Sequence, residues 1–141
     1  MQADGTGSIS DLTSDFWGAF LSTYTPDGSR MTFNSTQGGF VSVVWIVSTP
    51  VTPIAVFRMN LDGRGLTKLS DPGKGHHDIP GTYSPDGTKI VFASDRLSNN
   101  LSLDLFIMNG DGSDIHRIAS GLTVGGCPDG NCVTPSWGPT P

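Results

Sequence analysis

Positive charge is scarce in this chain. Of 141 residues only eight are lysine or arginine, against thirteen acidic ones, and the formal net charge is −5. A nucleic-acid surface needs lysine and arginine clustered on one face, and here they are scattered along the chain, so no nucleic-acid partner is expected. Long apolar stretches are missing too. The longest, around residues 41–47, falls far short of the roughly 18 residues of a membrane-spanning helix, so no membrane span is expected. Cysteine is limited to Cys127 and Cys132, which flank Pro-Asp-Gly-Asn. Without a second pair, a zinc site within one chain is disfavoured, and the pair reads as a small-loop disulfide in an oxidising compartment. The alternative is a ring of subunits that brings several such pairs to one axis. The opening Met1-Gln-Ala-Asp-Gly5 has neither a basic n-region nor an apolar h-region, so no signal peptide is expected in this chain. Nor is there a Gly-x-Ser-x-Gly elbow or a cysteine with a histidine neighbour in sequence, which leaves nucleophilic catalysis without a motif. No segment sustains a period of 3.6. With 19 glycines, 10 prolines and only 15% charged residues, the composition is that of an all-β, turn-rich domain.

What the chain does have is repetition. Tyr24-Thr-Pro-Asp-Gly-Ser-Arg-Met-Thr-Phe-Asn-Ser35 returns as Tyr83-Ser-Pro-Asp-Gly-Thr-Lys-Ile-Val-Phe-Ala-Ser94, and Phe57-Arg-Met-Asn-Leu-Asp-Gly63 returns as Phe106-Ile-Met-Asn-Gly-Asp-Gly112. Repeated units of this size cannot bury their apolar faces alone and must stack on neighbours. In each copy Pro-Asp-Gly predicts a tight turn: proline presets φ, aspartate bonds its own backbone, and glycine takes positive φ. Four strands are predicted per copy, at 21–25, 30–35, 54–60 and 65–69 in the first and at 81–84, 89–94, 103–108 and 114–119 in the second. The last strand of each copy is an outer one, so the mixed polarity of 114–119 is expected there.

The first copy is the longer one. Its extra residues lie in 36–53, read as an inserted hairpin that carries the apolar run Phe40-Val-Ser-Val-Val-Trp-Ile-Val47. Pro135-Ser-Trp-Gly-Pro139 resembles the opening of a further copy, with Trp137 where Tyr83 stood. The division is therefore an N-terminal segment 1–20, a first unit 21–80, a second unit 81–133, and the first strand of a third at 134–141.

The order Tyr-Ser-Pro-Asp-Gly, Lys-Ile-Val-Phe-Ala-Ser-Asp-Arg and Phe-Ile-Met-Asn-Gly-Asp-Gly-Ser over residues 83–113 resembles the TolB-like β-propeller repeat, and the likeness extends over about residues 24–137. It implies an all-β fold of four-stranded antiparallel propeller blades, two per chain. Because propellers close with roughly 4 to 8 blades, it further implies completion by oligomerisation, as a trimeric or tetrameric ring or, if the rotation does not close, a filament. The family is mostly extracytoplasmic in bacteria, so the resemblance places the protein in the periplasm or outside the cell.

Blade geometry puts the loops 36–53, 70–80 and 120–133 on one side, at the channel mouth, and the tight turns on the other. Long loops on a rigid scaffold favour ligands. His76-His77-Asp78 is the most chemical cluster there. Adjacent residues of an extended loop point oppositely, so one histidine could face the channel and, with a carboxylate, hold a divalent metal; the plainer reading is a polar loop at a subunit junction. His116 is expected to face solvent. Trp45, on the inserted hairpin, is the tryptophan singled out for ligand contact, and Asp95-Arg96 is expected to form a local ion pair. Asn109-Gly-Asp-Gly-Ser-Asp114 alternates oxygen ligands as calcium loops do but lacks the later bidentate glutamate, so a hairpin turn accounts for it. The leading function is a binding or scaffolding module that self-assembles, needs no cofactor, and takes a protein, peptide or glycan at the mouth. The alternatives are a carbohydrate- or ester-active enzyme with a His/Asp metal site, and a structural subunit polymerising by strand addition.

Overall fold

A computed structural model of the chain describes residues 19–36, 53–97, 103–122 and 135–137. It contains eight strands: β1 (Phe20–Tyr24), β2 (Arg30–Ser35), β3 (Ala55–Asn60), β4 (Thr67–Lys68), β5 (Asp78–Tyr83), β6 (Lys89–Ser94), β7 (Leu103–Asn109) and β8 (His116–Leu122). They form two antiparallel four-stranded sheets, β1-β2-β3-β4 and β5-β6-β7-β8, each a simple meander. No helix occurs among the described residues, and none is therefore long and apolar enough to cross a membrane.

The two Pro-Asp-Gly turns are built alike. Asp27 Oδ1 accepts hydrogen bonds from Thr25 Oγ1 at 2.6 Å and Ser29 N at 3.0 Å, while Asp86 Oδ1 accepts from Ser84 Oγ at 2.5 Å and Thr88 N at 3.1 Å. Gly28 and Gly87 take φ of 66° and 72°, the left-handed region that favours glycine. The β2–β3 and β6–β7 ladders then run in unbroken register, Phe33 opposite Phe57 and Phe92 opposite Phe106. Each of these pairs stacks, with centroids 6.0 Å and 5.5 Å apart.

Six of the expected strands differ at one or both ends, β5 among them, which begins at Asp78 rather than Gly81. The last begins at His116 rather than Asp114 because Asp114 adopts φ 54°, a turn conformation that aspartate tolerates. The fourth shrinks to Thr67–Lys68, since Gly65 before it sits at φ 67°. The inserted hairpin lies, but for its first and last residues, outside the described residues. So does the N-terminal segment up to residue 18.

The sheets pack on one another with β5 lying against β1, β2 and β3. Val56 and Leu69 of the first unit join Tyr83, Ile90, Phe92, Phe106 and Met108 of the second in one buried cluster. Phe92, Ile90 and Met108 are fully buried, each contributing roughly 1.5–3 kcal/mol by removal from water. A second cluster, Phe33, Ala55, Phe57 and Met59, occupies the opposite face of the first sheet. The hairpin between β7 and β8 closes over Leu69: a Cβ on Gly112 would stand 2.5 Å from the Leu69 carbonyl oxygen, and Gly112 has φ 89°.

Candidate functional site

The segment that carries His76 and His77 is stitched to the start of β3. Ile54 N donates to His76 O at 3.1 Å, and Asp78 N donates to Ile54 O at 2.8 Å, making a parallel bridge between the two units. This fixes the backbone just where the chain enters β5. Asp78, Ser94 and Asp104 then stand in register across β5, β6 and β7, so one end of the second sheet presents a row of oxygen acceptors.

Two arginines and two histidines meet that row and its flank. Arg96 Nη2 reaches Asp78 Oδ2 at 2.6 Å and its Nε reaches Ser94 Oγ at 3.2 Å. The Arg96 guanidinium also lies over the rings of Phe92 and Phe106, 5.3 Å and 5.1 Å from their centroids, a cation–π arrangement strengthened by burial. Arg117 Nη1 meets Asp104 Oδ2 at 3.1 Å. The expected Asp95–Arg96 pair is thus divided: Arg96 turns to Asp78, and Asp95 takes the histidines. His77 gives Asp95 both its backbone N–H, at 2.6 Å, and its ring Nδ1, at 2.9 Å, and His76 Nδ1 stands 3.5 Å away. The two neighbouring histidines thus converge on one carboxylate.

Burial works to raise the Asp95 pKa, but the hydrogen bonds from His77 and the charges of His77 and His76 outweigh it and hold the carboxyl below its usual value. An ionised aspartate on Nδ1 fixes the imidazole's orientation and leaves Nε2 for another partner. No described residue hydrogen-bonds the second ring nitrogen of either histidine. Among the described residues no three His, Cys, Asp or Glu side chains are gathered as a metal-binding group. His116 faces solvent, with 52% of its side chain exposed. The Asn109–Asp114 turn is a hairpin in which Asp111 Oδ1 accepts from Ser113 N and Oγ. Trp45, Cys127 and Cys132 lie outside the described residues.

Sequence reasoning placed ligands on the long-loop side. At the other end, between the tight turns of the two sheets, lies a cavity of about 370 Å³ lined by Thr25, Arg30, Arg58, Tyr83, Asp86 and Gly110 among others. One signal pointed to it: Arg58 stands in the repeat where the second copy has Ile107, a charge in a strand interior that the sister unit fills with an apolar side chain. No known protein-family model matches the chain.

Proposed function

We propose that this chain is a TolB-like propeller module that self-assembles, its two blades joined to those of further copies, and that binds a protein, peptide or glycan over the His76–His77 end of the ring. The observation that carries the reading is the position of residues 135–137. Trp137 N and Nε1 donate to Thr82 Oγ1 and Thr82 O at 3.2 Å and 3.1 Å, and Pro135 packs so closely on Gly81 that a Cβ there would strike the Pro135 carbonyl. Residues 135–137 thus lie against β5, which supports reading them as the start of a further repeat.

The outer face of the second sheet supports the same reading. Val91, Ala93, Leu105 and Ile107 occupy the register positions that Thr32, Asn34, Val56 and Arg58 hold on the face of the first sheet turned toward β5. No described strand packs on that outer face, where Leu105 and Ile107 stay part-exposed while Val91 and Ala93 are already buried within the chain. A heterologous contact of this kind closes as a ring or continues as a filament. Light scattering of the purified chain is the test: a trimer or tetramer supports the ring, very large species support the filament, and a monomer at all concentrations overturns self-assembly.

The His77–Asp95 pair favours a second reading, an enzyme of the carbohydrate- or ester-active kind with a divalent metal on the imidazole nitrogens that no described residue bonds. Calorimetric titration with zinc decides it. Binding that His77→Ala abolishes would sustain this reading, and the absence of heat would remove it.

A further inference from the structure

The seam inside the chain shows how one unit is seated on the next. Val56 and Leu69 of the first unit lie in one buried cluster with Tyr83 of the second, and Ile115 packs against that cluster. Arg58 Nη1 donates to Gly110 O across the seam at 2.6 Å. The ladder bulges beside Val56, where Leu69 N and Ser70 N both donate to Val56 O, and the β7–β8 ladder shifts register at the matching place, between Leu105 and Phe106. The repeat and these ladders give every seam residue a counterpart in the other unit. Val56 corresponds to Leu105, Arg58 to Ile107 and Leu69 to Ile118, while Tyr83 corresponds to Tyr24, Gly110 to Leu61 and Ile115 to Leu66.

Those counterparts are the apolar residues that the fold leaves in water. Seven large apolar side chains are exposed among the described residues, and four of them, Tyr24, Leu61, Leu66 and Ile118, hold seam positions. Ile118 is 50% exposed where Leu69 is 5% exposed. Single exposed apolar residues need no explanation, but a set that reproduces both sides of an internal seam does. The Arg58–Gly110 contact is altered at both of its ends at once. Arg58 becomes Ile107, part-exposed on the outer face of the second sheet, and Gly110 becomes Leu61, 42% exposed in the turn after β3. A guanidinium on a backbone carbonyl is thus exchanged for two apolar side chains that can meet only between copies. Phe33, Phe57 and Met59 on one face and Val91 and Ala93 on the other are buried already, so these residues are what each face still offers.

We infer that a second copy of this chain docks head to tail on the outer face of the second sheet, setting its Leu61 on Ile107 and its Tyr24 and Leu66 against Leu105 and Ile118. The contact repeats the way Gly110, Tyr83 and Ile115 meet Arg58, Val56 and Leu69 within the chain. It rests on the self-assembly proposed above and names the surface that performs it. A second copy is favoured over an unrelated protein because one chain carries both halves of the contact, each related to the internal seam by the same repeat. The two halves are different surfaces, so the contact is heterologous.

The test is sedimentation velocity of the full-length chain over a range of concentrations, with circular dichroism to confirm folding. Ile107→Arg sets a guanidinium against Leu61 and should weaken association roughly tenfold or more, since a charge buried without a partner is costly. The first unit already carries arginine at the equivalent place in β3, so the strand accommodates it. Leu61→Gly should also weaken association roughly tenfold or more, through the loss of one buried apolar side chain. Combining the two rebuilds the Arg58–Gly110 contact between copies and should return the affinity to within a few-fold of the parent. Ile118→Asp alters a side chain that is exposed in the single chain, so the fold is kept, and it should weaken association roughly tenfold or more. It keeps the test decisive if Ile107→Arg does not fold. A parent that stays monomeric at all concentrations overturns self-assembly and this contact together. A parent that assembles with an affinity unchanged by Ile118→Asp, or a double variant that associates no more tightly than Ile107→Arg, overturns this contact alone and leaves assembly to another surface.

Discussion

The two sheets share a backbone plan and differ at their ends. At the end opposite the tight turns, Ala19, Thr36 and Ala55 in the first copy are replaced by Asp78, Asp95 and Asp104 in the second. Three positions that cannot carry charge have become three carboxylates, each with a cationic or imidazole partner. At the turn end the reverse contrast holds in exposure: Tyr24 is 58% exposed, and its counterpart Tyr83 is 6% exposed. The repeat thus sets the strands and the turns, while the junction between units sets which side chains are buried and what they must pair with. Chemistry on this scaffold is found at the seams.

The largest expected effect comes from breaking the Arg96 brace, which the first copy never had. Asp78 is fully buried and 85% of the Arg96 side chain is inaccessible, the partner's exposure being 15%. Removing one member of a buried pair costs roughly 3–5 kcal/mol because the other is left charged and unpaired. Arg96→Met should therefore lower the urea-unfolding free energy by about 3–5 kcal/mol. Adding Asp78→Ala, the residue of the first copy, should recover much of it; a double variant no more stable than Arg96→Met would show that the brace is not what distinguishes the sheets.

Gly112 gives the next effect. With φ 89° and a Cβ position 2.5 Å from Leu69 O, Gly112→Ala combines left-handed strain of roughly 1–2 kcal/mol with overpacking of roughly 1–3 kcal/mol, a loss of about 3 kcal/mol. Gly28 has φ 66° but nothing within 4 Å of its Cβ position, so Gly28→Ala should cost only the strain. Equal losses in thermal melts of the two variants would mean that the Gly112–Leu69 approach does not join the units.

How far the sequence reached follows the same division. The strands 30–35 and 89–94 agree with the structure residue for residue, because the Pro-Asp-Gly turns that start them act locally. The end of the sheet near His76 was legible as chemical but not as geometry: nothing in adjacent letters tells that Arg96 passes over its neighbour Asp95 to reach Asp78, a residue brought near only by the β5–β6 pairing. The cavity was out of reach for the same reason, since Arg58 and Tyr83 meet only when the two sheets stack. Composition held one further sign, for all thirteen acidic residues are aspartate. Aspartate is the acid that closes turns onto its own backbone, and Asp27, Asp86 and Asp111 do so here.

Those turns are where the copies should behave alike, and pH tests it. Hydrogen bonds from the Thr25 side chain and from Ser29 lower the Asp27 pKa from 3.8 to about 2, and Asp86 is lowered by the equivalent bonds from Ser84 and Thr88. A carboxylate whose folded-state pKa lies below its unfolded value contributes stability that is present above the unfolded value and is lost as pH falls through the folded one. The Asp27 contribution should thus be complete above about pH 4 and fade toward pH 2. Carboxyl ¹³C titration should place Asp27 near 2 and Asp86 below 3.8, and Asp27→Asn should flatten the acid limb of the stability curve. A midpoint for Asp27 near 3.8 would show that the turn is not closed in this way in solution.

The smallest effect on stability separates the seam from the fold. Tyr83→Phe removes a buried hydroxyl that has no partner and leaves the ring packed with Ile90, Phe92 and Met108. Deleting an unsatisfied polar atom without changing the packing is neutral or stabilising by up to about 1 kcal/mol. Tyr24→Phe, at an exposed position, should lie within about 0.5 kcal/mol of the parent. A core residue retained for stability alone would give the opposite order, with Tyr83→Phe the costlier change. A clear loss of stability on Tyr83→Phe would mean that the hydroxyl already has a partner inside the fold.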